Sequence, residues 1–155
     1  MAAKPIPDGY HALTPYLIIT GAANAIEFYQ NVFGATETAR FNDSSGRIGH
    51  AELRIGDSVL MLADEYPEMG FKSPQTLGGT ACLTMIYLPD VDACFARALA
   101  AGAKQIKPLR DEFYGDRAGT FADPFGHVWT VATHVEDVTR EEMQRRMEKL
   151  TSKPA

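Results

Sequence analysis

The sequence is poor in the residues that most often carry chemistry. Its 155 residues hold two cysteines, four histidines and one tryptophan. Cys82 and Cys94 belong to no C-x-x-C pair and no Cys/His cluster, which argues against a zinc finger or a dithiol redox motif. Both are expected to be small buried hydrophobes. Positive charge is short as well: 15 Lys+Arg against 20 Asp+Glu leave a net charge of -5. No basic face remains to neutralise phosphates, so no nucleic-acid partner is expected. No apolar run approaches the roughly 20 residues that cross a bilayer. The start, MAAKPIPDGYHALTPYL, lacks a basic segment followed by a long apolar one. The expectation is therefore no signal peptide, no membrane partner and a cytoplasmic location. A G-x-G-x-x-G turn, a P-loop and a nucleophile elbow are missing too, which leaves no sign of a nucleotide or S-adenosylmethionine fold.

What is present is a soluble globular balance, 45% hydrophobic and 23% charged, in a length that suits one domain with its own core. The informative feature is internal repetition. PYLIITGAANAIEFYQNVFGA (15–35) lies over LTMIYLPDVDACFARALAAGA (83–103) at an offset of 68. Ile18 falls on Ile86, Ala25 on Ala93, Gly34 on Gly102 and Ala35 on Ala103. Both stretches read as strand, turn, helix, then Gly-Ala. The first helix is expected over Ala22 to Phe33, with Ile26, Tyr29 and Phe33 on its apolar face and Gly34 ending it. The second follows Pro89, with Asp90 as N-cap, a stripe of Val91, Phe95, Ala98 and Leu99, and Gly102 as its stop.

Each helix is followed by three strands: TETARFND, RIGHAELRI and SVLMLAD in the first half, then KQIKPLRDEF, DRAGTFAD and HVWTVAT in the second. Turn residues separate them. The domain is thus expected as module one over about 12–65, a linker over 66–80 and module two over about 81–135. Thr139 and Glu142 form a capping box for a terminal helix over about 139–151, with Met143, Met147 and Leu150 on one stripe. Such a helix docks on its own body or on a partner subunit.

Two βαβββ modules, with the segments PYLII, AIEFYQNVFGA, GHAEL, EFYGDR and DPFGHVWTVATH-EDV, resemble the vicinal oxygen chelate superfamily (glyoxalase, bleomycin resistance proteins and dioxygenases). Within it the chain looks like the PhnB-like branch. The resemblance covers roughly residues 12–135. It implies an α+β fold in which the two modules form a U-shaped mixed sheet around a cleft, with a short C-terminal helix added. It also implies a homodimer and a small-molecule ligand. Metallo-members place one His or Glu ligand on the first and last strand of each module, converging on a divalent metal at about 2 Å. By register those positions fall on Thr14, Met61, Leu83 and Thr130. None is a good ligand, and a one-residue slip adds only Cys82. The expectation is no metal at the family positions, with a divalent metal elsewhere left open.

The remaining polar residues supply the site candidates. In RIGHAELRI, Ala51, Leu53 and Ile55 alternate as a core set, which puts His50, Glu52 and Arg54 on the other face. In the superfamily fold that face lines the cleft, where a His and a Glu could position or deprotonate a ligand. Phe113 and Tyr114 offer flat apolar faces, and Tyr114 a hydroxyl. Arg117 offers a planar fork for a carboxylate or phosphonate, with Asp116 placed to hold it. Thr130 shares the cleft face with His134. The ligand-binding set is therefore His50, Glu52, Phe113, Tyr114, Arg117 and Thr130. His127 is read as structural, its ring tied to a carbonyl, and Trp129 as packed against a helix. Asp64-Glu65 reads as a polar exit from the sheet.

Two functions from different classes stay open. One is a binding protein that holds a small organic molecule without the usual metal. The other is a lyase, isomerase or dioxygenase-type enzyme that uses a divalent metal at non-family positions or a metal-free general base. Catalytic residues are unassigned. A third reading, a partner-binding module, draws only on the terminal helix.

Overall fold

The computed structural model describes residues 3–152. The chain separates into two compact units, one of residues up to 81 together with 124–127, the other of residues 82–123 and 128 onward. Each is built on the same α+β plan.

In the first unit, β1 (Tyr16–Ile19) leads through α1 (Ala22–Phe33) to β2 (Thr36–Asn42), β3 (Ile48–Ile55) and β4 (Ser58–Asp64). The sheet order is β1-β4-β3-β2. β1 runs parallel to β4, and the other pairs are antiparallel. The parallel pair is possible because a helix and a meander separate its strands in sequence. Strand alternation settles which face is buried. Leu17, Ile19, Ala51, Leu53, Ile55, Leu60 and Leu62 are buried, together with Ile26, Tyr29 and Val32 of α1. Burial of each Leu or Ile side chain contributes about 1.5–3 kcal/mol over leaving it in water.

α1 follows Gly21, an N-cap residue with no side chain to accept a hydrogen bond. The first N–H groups of a helix need an acceptor. Asp64, at the far end of β4, supplies it: Oδ1 accepts from Gly21 N at 3.2 Å and Ala22 N at 2.8 Å, while Oδ2 accepts from Ile48 N at 2.7 Å. The residue read as a polar exit thus ties α1, β3 and β4 together.

In the second unit, β5 (Leu83–Tyr87), α3 (Val91–Ala100), β6 (Lys104–Asp111), β7 (Asp116–Ala122) and β8 (Val128–His134) form a sheet of order β5-β8-β7-β6. Asp90 caps α3, its carboxylate accepting from Ala93 N at 2.9 Å. The buried stripe is Val91, Cys94, Phe95 and Ala98; Leu99 is exposed instead, since it lies past the edge of that stripe. Cys94 is buried as expected, but Cys82 is exposed, because it precedes β5 in a turn. Trp129 is buried, its indole N–H donating to Asp123 at 2.9 Å. α4 (Arg140–Thr151) starts at Thr139, whose hydroxyl accepts from Glu142 N at 3.3 Å.

The stretch 66–80 is folded rather than a plain linker. Tyr66 bridges to Phe71 around a 3-10 turn at Pro67–Met69, and α2 (Pro74–Leu77) follows, capped by Ser73. The turn 124–127 belongs to the first unit. Phe125 packs edge-on against Phe28 and Tyr29, and His127 Nε2 donates to the Ile18 carbonyl at 3.1 Å. His127 therefore has the structural role read from the sequence.

Candidate functional site

The face of the first sheet opposite α1 carries a row of polar side chains. His50 and Glu52 project there from β3, as their alternation requires. Tyr16, paired with Met61 on the neighbouring strand, projects from β1. His50 Nδ1 lies 2.9 Å from the Tyr16 hydroxyl, and His50 Nε2 lies 3.1 Å from Glu52 Oε1. Tyr10, in the segment before β1, donates its hydroxyl to Glu52 Oε2. The bond from Tyr10, then that from His50, holds the Glu52 carboxyl below the usual carboxylate range. Burial raises the Tyr16 phenol, and the nearby Glu52 charge adds to it. Phe41 of β2 stacks on the His50 ring at 6.3 Å between centroids.

Hydrogen-bond logic gives this row one direction. An ionised carboxylate only accepts, so Glu52 accepts a hydrogen bond from the Tyr10 hydroxyl and another from His50 Nε2–H. A neutral imidazole then has its lone pair on Nδ1, and Tyr16 O–H donates to it.

Tyr16 also lines a concavity of about 560 Å³. Its apolar wall is Ile18, Ala63, Met69 and Phe71; Asp64 and Tyr66 complete the polar part. Tyr66 is fixed from behind: its hydroxyl donates to Asp43 Oδ2 at 3.0 Å, and the Arg47 guanidinium lies 4.0 Å from its ring centre. Hydrogen bonds from Ser45 and Tyr66 hold the Asp43 carboxyl well below the carboxylate range. A second hollow of about 440 Å³ lies where Ile6, Pro7, Tyr10 and Thr14 meet Glu52 and Met61.

The second unit places its candidates differently. Arg117 points to the α3 side of β7. Its Nε and Nη2 each lie 2.7 Å from the Asp92 carboxylate, and its Nη1 lies 3.2 Å from Asp111. The guanidinium is thus held in a fork by Asp92, and its pKa is raised by those bonds. It is a structural ion pair rather than a ligand fork. Asp116 does not hold it, because adjacent strand residues face opposite ways. Buried Asp116 instead accepts from Tyr87 at 2.7 Å and lies 2.7 Å from His134 Nδ1. His134 Nε2 reaches Asp137 at 3.0 Å. Both ring nitrogens meet carboxylates, Asp116 contributing most, so the His134 pKa is raised.

Thr130 shares the face of Asp116, but its hydroxyl pairs with Thr120 at 2.9 Å. Phe113 and Tyr114 stand edge to face at 5.2 Å in the β6–β7 connection. The Phe113 carbonyl accepts from Arg146 of α4 at 3.4 Å. Next to them, Gly115 has φ 101° and approaches the Glu136 carbonyl so closely that a Cβ would sit 2.0 Å from that oxygen. The segment EFYGDR therefore fastens the C-terminal tail. Of the six sequence candidates, the fold joins His50 to Glu52 and Phe113 to Tyr114, and pairs Arg117 with Asp92 and Thr130 with Thr120.

The strand pairings follow the sequence repeat: Ile18 pairs with Ala63, and Ile86 pairs with Val131, each at the same offset of 68. Met61 lies beside Tyr16, and Thr130 beside Met85. Phenol, thioether and hydroxyl side chains are poor donors for the divalent metals of this fold. Among the described residues, no three His, Cys, Asp or Glu side chains group as a metal site.

Three features of the cavity and of the polar row beside it escape sequence reasoning. Tyr66, Met69 and Phe71 sit in a stretch whose Gly and Pro content signals a connector. Tyr10 joins Glu52 across 42 residues, with no local signal. Tyr16 could have been found, since it shares strand parity with Ile18 opposite buried Leu17 and Ile19.

The chain matches the model of the Glyoxalase/Bleomycin resistance protein/Dioxygenase superfamily over residues 11–131. It belongs to that superfamily. An uncharacterized protein of Mycobacterium bovis is 45% identical over 139 residues, which is 88% of this chain and 91% of that protein. Among solved structures, TioX from Micromonospora sp. ML1 is 27% identical with a TM-score of 0.62, over 81% of this chain and 99% of that one. The fosfomycin resistance protein FosX of Listeria monocytogenes, crystallised with Mn(II) and sulfate, is 20% identical with a TM-score of 0.62, over 86% of this chain and 97% of that one. A PhnB protein from Bacillus cereus is a further fold neighbour, with a TM-score of 0.64 at 19% identity, over 79% of this chain and 99% of that one. The last two likenesses show the fold alone.

Proposed function

We propose that this protein binds a small organic molecule in the concavity on its first sheet, without a metal at the superfamily's ligand positions. One observation carries the reading: an apolar hollow of about 560 Å³ closed by Ile18, Ala63, Met69 and Phe71, with Tyr16 at its edge anchored through His50 to Glu52. Ligand pockets of about 300–1,000 Å³ are built this way, mainly apolar with a few fixed polar groups. The absence of carboxylate or imidazole at Thr14, Met61, Leu83 and Thr130, the positions that the family resemblance gives, supports a metal-free mode. A thermal-shift screen of metabolites and antibiotics in chelator tests it. Ligands that raise Tm equally with and without added Mn(II), and less well in Phe71→Ala, are expected. Stabilisation that requires the metal would count against the proposal.

The His50–Glu52 pair favours one second reading. Glu52 orients the imbalanced ring so that Nδ1 keeps its lone pair, and His50 then serves as a metal-free general base acting through the Tyr16 hydroxyl. That reading predicts that His50→Ala abolishes turnover while the fold survives. Full activity in the variant would remove His50 from the chemistry.

A further inference from the structure

The polar groups of the cavity share a property beyond their number. Each has its hydrogen-bond donor, where it has one, already committed. Tyr16 donates to His50 Nδ1, because Nε2 carries the ring proton toward Glu52. Tyr66 donates to Asp43. Asp64 adds no donor, and both its carboxylate oxygens are taken up by three backbone N–H groups. No Lys or Arg is among the lining residues. The side chains around this apolar hollow therefore present oxygen lone pairs, with no side-chain donor free to turn inward.

We infer that the cavity selects an apolar, uncharged or cationic molecule that donates a hydrogen bond through O–H or N–H, and that it rejects anions such as carboxylates and phosphonates. The inference rests on the binding reading above and narrows its ligand class. A donor on the ligand meets the free lone pairs of Tyr16 and Tyr66. A ligand with acceptors alone would be desolvated against oxygens that cannot pair with it. An anion would in addition lose its hydration with no Lys or Arg among the lining residues and no free side-chain donor to replace it.

Three probes of one shape test this by calorimetric titration near neutral pH: 2-naphthol, its methyl ether 2-methoxynaphthalene, and 2-naphthoate. The naphthol is expected to bind roughly two- to tenfold tighter than the ether, the span of one net hydrogen bond. The naphthoate should bind weakest. In the double variant Tyr16→Phe/Tyr66→Phe, with its fold checked by circular dichroism, that gap should close while the ether binds as before. Equal binding of naphthol and ether by the natural chain, tightest binding of naphthoate, or a gap that survives in the double variant would overturn the inference and leave the binding reading standing. Failure of all three probes to bind would overturn both.

Discussion

His50 and Glu52 lie two residues apart on β3, face the same way, and are joined from Nε2 to Oε1 over 3.1 Å. Glu52 also takes the Tyr10 hydroxyl, so one carboxylate anchors both the ligand-side row and the segment before β1. The bonds from Tyr10 and His50 lower its pKa from an ordinary 4.5. A carboxyl whose pKa falls on folding stabilises the native state above its unfolded value and loses that contribution as pH drops through its folded value. Denaturant unfolding between pH 7 and pH 3 should show stability falling below about 4.5, and Glu52→Gln should remove part of that slope. An identical slope in the variant would mean that Glu52 is not the coupled group.

Asp64 is the outside cap of α1. Asp64→Ala leaves three backbone N–H groups without their acceptor. A lost cap costs about 1 kcal/mol and a buried donor left unpaired about 1–3 kcal/mol. Chemical denaturation of the variant should show a loss of about 2–3 kcal/mol. A change within a few tenths of wild type would show that water replaces the carboxylate.

Gly115 combines a positive φ of 101° with a position where a Cβ would lie 2.0 Å from the Glu136 carbonyl oxygen. Val135 N and Glu136 N both donate to the Gly115 carbonyl, at 2.9 and 3.0 Å. Gly115→Ala should detach the tail before α4 while the sheets persist. Amide exchange at Val135 and Glu136 should speed by at least tenfold, a change that needs only about 1.4 kcal/mol. Unchanged protection there would contradict the fastening role.

Arg117 belongs to the α3 side of its sheet. Arg117→Ala should leave 2-naphthol affinity unchanged and lower stability only slightly, as the loss of a solvent-screened ion pair does. A fall in affinity beyond threefold would return Arg117 to the binding surface.

These residues show what the sequence discloses. Helix limits, the strand sequence in each half and the core set Ala51, Leu53 and Ile55 follow from local period and turn chemistry. Face assignment works inside a strand, which is why His50 and Glu52 were legible as a pair. It does not reach partners far apart in sequence: Tyr10 meets Glu52 across 42 residues with no periodic signal. Arg117 was assigned to the cleft from its chemistry, but its parity with Gly119 and Phe121 puts it against α3. The cavity wall at Tyr66, Met69 and Phe71 was illegible for another reason. It depends on a short bridge around a 3-10 turn, which leaves no periodic pattern.

The central claim is binding without a metal at the family positions. It is tested most directly by calorimetric titration of chelator-stripped protein with 2-naphthol, once in chelator and once with Mn(II) added. The account predicts the same affinity in both. Binding that appears only with Mn(II) would contradict it.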